Sequence, residues 1–493
     1  MSKHTVKFEY DARRHQGMMS GSHFMEVREH FSVYNDAAKY ARYRNAFAPS
    51  RKYVITPQGR FDPGMYYEIK SYIKENTDDT NIHISDELKH VVYPTYKYNE
   101  TVLDPPLSLD LRDYQQDIVD ISLKIGRGVV ILATAGGKTL TIAALIENVY
   151  RRDKQFKCLV LVPDLGLVNQ TYSDFKEYNT TFLSSKWSGG NELNLGSNVI
   201  VANMGILQSS KSDISWIQDI DLLIIDEVHK LRKDNKINSV IKKIRTPHKY
   251  GFTGTMPEKL IDQWNITGKI GPILYEKNSF QLRKQKYVAR VKVQVLKIDY
   301  KDKPPVYPSD RFDPGARYRR EQQFLAKNTF RNKVISKISE KFDNNCLIMV
   351  DYIEHGEELY GVLSATCKNK QVFFIRGEVE VEEREKVKKL MEKSNNVVCI
   401  AISKIFSTGI NIKNLHYIVF AGGGKAKVKI IQSIGRGLRL HKDKKGVIII
   451  DIADMLYYGN QHYNKRIKLY KGEKIKHGIK NISEKNFNDE EKT

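Results

Sequence analysis

The chain has 493 residues, 41% hydrophobic and 28% charged, which is enough apolar material for well-packed cores and predicts about three domains rather than one. Lys and Arg number 81 against 58 Asp and Glu, a net charge of +23, so the molecule attracts polyanions; nucleic acid is the commonest, while a charged enzyme of another kind or an anionic membrane surface would also give such a balance. There is no long basic amphipathic helix, no apolar stretch of ~18 residues and no apolar leader after Met1, which argues against a membrane partner. The four cysteines, Cys158, Cys346, Cys367 and Cys399, form no Cys-x-x-Cys pair, so neither a zinc site nor a disulfide framework is indicated and a reducing, cytoplasmic setting fits.

Residues 1–104 are rich in Tyr and basic residues, with a turn signal at Asp62-Pro63-Gly64 and a helical pattern from Met65 to Ile73. They predict a small basic α+β domain, with Tyr93–Pro106 as the way out of it. Across 105–275, strand-length apolar runs alternate with amphipathic helical stretches: Gly128–Leu132, Cys158–Val162, Asn198–Ala202, Asp221–Ile225 and Lys249–Thr253. That rhythm predicts a mainly parallel sheet covered by helices on both faces. Residues 276–326 read as a basic, loop-rich connecting segment. Over 327–455 the rhythm returns, with strands at Cys346–Val350, Gln371–Ile375, Val397–Ala401, Tyr417–Ala421 and Gly446–Asp451. Residues 456–493 form a Lys-rich extension with an end expected to fray. Arg-Phe-Asp-Pro-Gly occurs at 60–64 and again at 311–315 with unlike flanks, and reads as two turns rather than a repeat.

The first run of chemical interest is Ala133-Thr134-Ala135-Gly136-Gly137-Lys138-Thr139, between strand Gly128–Leu132 and an apolar helix Leu140–Val149. Small residues at a strand–helix junction let backbone N–H groups, including those of Ala135, Gly136, Gly137 and Leu140, wrap a phosphate at a helix N-terminus. Lys138 reaches the β- and γ-phosphates of a nucleotide, and the Thr139 hydroxyl holds Mg²⁺. Leu132 stands where the loop pattern has its first Gly, so a plain turn between strand and helix is the competing reading.

The run Asp221–Ile225 ends in Asp226-Glu227-Val228-His229. A carboxylate at the carboxyl end of a parallel strand faces the ligand crevice. Asp226 would serve Mg²⁺, and Glu227 would orient and deprotonate water. A solvated acidic pair opening a loop is the alternative. The order, phosphate loop first and acidic strand end second in one α/β unit, favours the catalytic reading.

With these residues in place the sequence resembles the superfamily-2 helicases and translocases. Leu111-Arg112-Asp113-Tyr114-Gln115 is similar to the adenine-reading motif, which implies Arg112 and Gln115 at the base. Val160–Pro163 through Gln170, with Gly189-Gly190, resembles the segments that touch nucleic acid. Thr253-Gly254-Thr255 resembles the motif coupling nucleotide state to strand contacts, and Ile348–Ile353 the fourth motif. Ser407-Thr408-Gly409-Ile410-Asn411 resembles the fifth, in which many members carry Asp where Asn411 stands. Gln432-Ser433-Ile434-Gly435-Arg436-Gly437-Leu438-Arg439 resembles the sixth and is the most specific. There the resemblance implies that Gln432 meets nucleotide and that Arg436 and Arg439 cross the cleft to the γ-phosphate; an Arg-rich surface helix is the bland alternative.

The resemblance implies two tandem RecA-like parallel-sheet domains behind a small N-terminal DNA-binding domain. The cofactors would be ATP and Mg²⁺, and the catalytic set Lys138, Asp226, Glu227, His229, Arg436 and Arg439. Thr139 and Asp226 would hold the metal, and Pro163, Gln170, Gly189, Gly190, Thr408 and Gly409 the nucleic acid. Asp-Glu-Val-His and Thr-Gly-Thr set the chain apart from the Asp-Glu-Ala-Asp RNA helicases. The compact size and basic N-terminal domain look like phage recombination and branch-migration helicases of the UvsW type, and His462, Arg466 and Tyr470 echo that family's last helix. The expected partner is DNA, forked, branched or duplex, with RNA a second option and recombination or replication proteins as associates. The alternatives are a duplex translocase subunit that does not separate strands, an RNA helicase, and a clamp that no longer turns over ATP. Lys39, Arg42, Arg44, Arg51 and Lys52, with Tyr40 and Tyr43 to stack, are the candidate grip of the N-terminal domain.

Overall fold

The computed structural model describes residues 4–35, 38, 49–96, 106–133, 136–209, 212–285, 290–376, 381–403, 412, 414–422, 446–484 and 487. The chain divides into two units, the first formed by Met1–Leu132 and Gly137–Lys277 and the second by Asn278–Thr493 together with Ala133–Gly136. Among the described residues no helix is long and apolar enough to cross a membrane.

The first unit opens with an antiparallel hairpin, β1 (His4–Asp11) and β2 (Gln16–Gly21). A short second hairpin, β3 (Ser32–Tyr34) with β4 (Arg51–Tyr53), stands outside that sheet. β5 (Arg60–Phe61) joins β2 antiparallel and β6 (Thr80–Ile84) joins β1 parallel, giving the order β5-β2-β1-β6. Helix Tyr66–Asn76 turns its buried residues Tyr66, Ile69 and Ile73 onto this sheet, at the helical spacing the sequence suggested.

This small core does not close on itself. It is completed by Ile261 and Trp264 from the later helix Leu260–Ile270, with the Trp264 ring 5.4 Å from that of Phe31. The predicted turn at Asp62-Pro63-Gly64 is the docking point. A Cβ on Gly64 would sit 2.1 Å from the Thr267 carbonyl oxygen, so only glycine allows the approach. Beside it Asp62 pairs with Lys269 at 2.5 Å. Burial alone would raise the Asp62 carboxyl, but Lys269, with Lys242 and Lys233 nearby, brings it down to about 2. Arg127 is buried in the same seam and donates to three carbonyls: Val91 at 2.7 Å, Ile270 at 2.8 Å and Lys269 at 3.1 Å. Two of these close the carboxyl end of a helix, where a cation is favoured. Burial pushes its guanidinium down to about 10, which leaves it charged at neutral pH.

The rest of the first unit is a seven-stranded parallel sheet: β7 (Gly128–Leu132), β8 (Cys158–Val162), β9 (Ser184–Trp187), β10 (Val199–Asn203), β11 (Leu222–Asp226), β12 (Lys249–Thr253) and β13 (Ile273–Lys277). Their order is β13-β7-β12-β11-β8-β10-β9. Every residue of β7, β8 and β11 is buried, the mark of strands covered on both faces.

The second unit holds another seven-stranded parallel sheet: β14 (Arg290–Asp299), β15 (Cys346–Val350), β16 (Gln371–Ile375), β17 (Val397–Ile402), β18 (Tyr417–Phe420), β19 (Gly446–Asp454) and β20 (Lys476–Ser483), ordered β16-β17-β15-β18-β19-β14-β20. β14 comes from the stretch read as a connecting segment and β20 from the stretch read as an extension, so both belong to the sheet. The helix Tyr457–Gly472 carries His462, Arg466 and Tyr470 inward, all buried. The Nε of Arg466 and the hydroxyl of Tyr470 each donate to Asp451 at 2.8 Å, which makes this trio a structural lock for β19. All four cysteines are free and buried, and burial raises their thiols, that of Cys399 to about 12.

Because Trp264 completes the N-terminal core, Trp264→Ala should cost about 3–5 kcal/mol, measured by denaturant titration. A loss below about 1 kcal/mol would show that the two cores are independent.

Candidate active site

In a parallel sheet all strands end at one edge, and the first unit sets its polar residues along that edge. β7 leads into the loop before helix Lys138–Arg152. Gly137, the residue before this helix, lies in the left-handed region at φ 79. A Cβ there would fall 2.5 Å from Gln115 Nε2. Gln115 itself is 1% exposed and spans a gap. Its Nε2 donates to the Gly137 carbonyl at 3.2 Å, and its Oε1 accepts from the Arg112 backbone N–H at 2.9 Å. The Arg112 guanidinium donates to the Tyr114 hydroxyl at 2.8 Å. The segment expected at the adenine is thus also a brace beneath the phosphate loop. Thr139 lies half-buried in the first turn and Leu140 is buried behind it.

Two strands along, β11 delivers the acidic pair. Asp226 is its last residue, one place beyond the strand end expected from sequence. Glu227 then turns at φ 51, a left-handed conformation that is strained for a residue with a side chain, and its N–H donates to Asp226 Oδ1 at 2.8 Å. This turn aims the carboxylate back along the edge. Glu227 Oε1 lies 3.2 Å from Lys138 Nζ, and both side chains are largely buried. Glu227 Oε2 lies 3.2 Å from His229 Nδ1, which is also 3.0 Å from Thr253 Oγ1. The Thr253 hydroxyl donates to the Thr255 carbonyl at 2.9 Å, so it accepts from His229 and Nδ1 carries the proton. Lys138, Glu227, His229 and Thr253 form one chain from the phosphate loop to the end of β12. The close packing depends on Gly251, where a Cβ would come within 2.9 Å of the Val228 side chain. The sequence pattern does not single out that glycine, and it marks Thr253 as part of the coupling motif but not as an acceptor for His229; both placements follow from the β11–β12 register, in which Ile225 faces Gly251.

The residues expected at nucleic acid occupy the other end of the same edge. Pro163 directly follows β8, and Gln170 lies half-buried in helix Leu165–Glu177, whose N-terminus Asp164 caps. Gly189 and Gly190 form an exposed turn after β9, closed by the Asn191 N–H donating to the Ser188 carbonyl at 2.9 Å. No heavy atom lies near the space a Cβ would fill at either glycine, so their backbone is open to a ligand. Of the N-terminal candidates, Arg51 pairs with Glu29 at 3.0 Å and Lys52 with Asp234 at 3.0 Å. Lys39, Tyr40, Arg42, Tyr43, Arg44, Ala135, Thr408, Gly409, Asn411, Gln432, Arg436 and Arg439 lie outside the described residues.

The arrangement fits a nucleoside triphosphate. The helix Lys138–Arg152 presents its N-terminus at Gly137, and the buried Lys138 ammonium stands beside it. Among the described residues no three His, Cys, Asp or Glu cluster to hold a metal by themselves. Mg²⁺ takes one or two protein oxygens and the remainder from phosphate and water, and Asp226 and Thr139 are the residues that would supply the protein's share.

Fold and site together define a nucleotide-driven enzyme of RecA-like build. The chain matches the family described as type III restriction enzyme, res subunit, over residues 108–258, and the helicase conserved C-terminal domain over residues 329–441. It belongs to the superfamily-2 helicases, enzymes that hydrolyse ATP. It is 26% identical over 477 residues to the ATP-dependent DNA helicase uvsW of Enterobacteria phage T4, covering 94% of this chain and 93% of that protein. It is 23% identical over 417 residues to the DNA 3'-5' translocase XPB2 of Sulfurisphaera tokodaii, covering 78% and 88%. Among solved structures, the ATP-dependent Type ISP restriction-modification enzyme LlaBIII bound to DNA shares the fold at a TM-score of 0.56 and 15% identity, over 84% of this chain and 34% of that one.

Gly137→Ala adds both a strained φ and a clash with Gln115. Binding of a fluorescent ATP analogue should weaken about ten-fold or more, since such strain costs about 1–3 kcal/mol. An unchanged affinity would mean that the loop tolerates a side chain there.

Proposed function

We propose that the protein is an ATP-driven DNA motor that unwinds or branch-migrates forked and junction DNA. The observation that carries this reading is the chain Lys138–Glu227–His229–Thr253, which ties the phosphate loop to the end of β12. In it Glu227 is shared between an ammonium and an imidazole. A γ-phosphate entering the loop competes for Lys138 and releases one carboxylate oxygen, which then orients the attacking water. Asp226 and Thr139 would hold Mg²⁺, which would offset the charge of the phosphates. His229 reports the change to Thr253 and so to the loop after β12. Pro163, Gln170, Gly189 and Gly190 line the path of a strand along the same edge; Arg436 and Arg439, outside the described residues, keep the γ-phosphate role that their motif implies. The net charge of +23 and the likeness to a phage DNA helicase over nearly the whole chain support DNA as the track.

A second reading is a duplex translocase that does not separate strands. It is favoured by the likeness to a protein named as a DNA translocase. Displacement of a labelled strand from forked DNA by the isolated protein decides for unwinding; ATP-driven movement on duplex without displacement decides for translocation.

Glu227→Gln should cut ATP hydrolysis by about 10²–10⁴-fold while leaving nucleotide and DNA binding in place, because it removes the base and keeps the shape. The assay is steady-state ATPase with single-stranded, duplex, forked and four-way-junction DNA and with RNA, at one salt concentration. Wild-type hydrolysis indifferent to every nucleic acid would overturn the proposal.

A further inference from the structure

The second unit carries a surface that the motor reading leaves unused. Where β14 ends at Asp299, the chain runs through Lys301–Arg320 into helix Pro314–Lys327. This stretch holds six basic residues against three acidic ones, and among them stand large apolar rings in solvent. Phe312 is 91% exposed, Tyr307 49%. The Arg320 guanidinium lies 4.6 Å from the centre of the Tyr307 ring. The Arg317 guanidinium lies 3.8 Å from the centre of the Tyr457 ring, which belongs to helix Tyr457–Gly472 after β19 and is 53% exposed.

The surface is held still from below. Glu321 accepts the N–H groups of Tyr458 at 3.0 Å and Gly459 at 2.7 Å, fixing the start of the Tyr457 helix against the Arg317 helix. Tyr318 packs edge-on to Tyr458 at 5.2 Å. Beneath them Arg331 is buried and paired with Asp454 at 2.8 Å, at the end of β19. Exposed rings on a rigid base, interleaved with arginines, are costly for a surface with no partner. They match the face and charge of an unpaired nucleobase on its phosphate backbone. Arg320 and Arg319 are partly neutralised by Asp310 and Asp313, while Arg317 lies over the half-exposed Tyr457 ring.

We infer that Phe312 and the Arg317–Tyr457 pair form a stacking shelf for unpaired bases of a nucleic-acid strand at the carboxyl edge of the second sheet. This deepens the proposed function and rests on it. A paired duplex hides its base faces, so the shelf selects single strands and the single-stranded arms of forks.

The test is binding of a fluorescent single-stranded oligonucleotide and of a blunt duplex of equal length at one salt concentration, followed by anisotropy. Phe312→Ala and the double variant Arg317→Ala/Tyr457→Ala should each lose about ten-fold in single-strand affinity, the worth of one or two stacked bases, with duplex affinity changed less than two-fold. Tyr457→Phe, which keeps the ring, should bind as wild type. At a position as exposed as Phe312 the alanine variant is not expected to impair folding, so that arm stands even if the double variant misfolds. Equal losses on duplex and single strand would make the patch a phosphate contact and overturn stacking, as would unchanged single-strand binding by Phe312→Ala and the double variant alike. A wild-type protein that binds no nucleic acid, or whose hydrolysis none stimulates, would overturn the proposed function instead.

Discussion

A contact of 3.2 Å between Lys138 and Glu227 organises the first unit, and it makes strict demands on the backbone. The two residues are almost ninety positions apart, beyond the ends of two strands, β7 and β11, that β12 separates. They meet only because β7, β12 and β11 run parallel and in register, with Phe252 paired to both Val130 and Asp226. Close packing of Gly251 under Val228 permits that register, and the left-handed turn at Glu227 uses it. A pair of opposite charges in a largely buried place is expensive unless each partner is also hydrogen-bonded or has a ligand to receive. Here the carboxylate has a second partner in His229. The pair therefore holds the site in shape and remains open to exchange.

The seam around Arg127 couples that shape to the N-terminal domain. Helix Leu260–Ile270 shows one set of side chains to the parallel sheet, Ile266 and Ile270, and another to the N-terminal core, Ile261 and Trp264. One helix thus belongs to two cores. Arg51 and Lys52, both candidates for gripping DNA, are engaged with Glu29 and Asp234, so any grip they give is in competition with internal ion pairs that are weak at the surface.

The sequence was most readable where burial is two-sided. β7, β8, β12 and β15 lie at the residues expected, because a run such as Cys158-Leu159-Val160-Leu161-Val162 between polar turns has few other homes. Lys138, Asp226 and Glu227 could be placed because a strand's carboxyl end is itself a location. β14 alternates Val291, Val293 and Val295 with polar residues, a legible strand pattern, yet its basic and proline-rich setting reads as loop. β20, with Lys, His, Gly and Asn in an edge strand, gives almost no periodic signal. Thr253 as acceptor for His229 and Gln115 as a brace for Gly137 depend on long-range register, which local pattern does not carry. The Phe312 turn was noted as a turn, and its exposure is a tertiary fact.

β14 sits between β19 and β20, pairing with β20 along eight residues from Lys292 to Asp299. Motif-based trimming would place the natural stop of a recombinant fragment shortly after Asp454. Such a cut removes both the helix that locks Asp451 and the outer neighbour of β14, leaving an eight-residue ladder of backbone donors and acceptors bare on one side. A bare edge of that length recruits other strands. Fragments ending there should precipitate or pair through that edge, so the tail after the last motif is an aggregation guard for the second sheet.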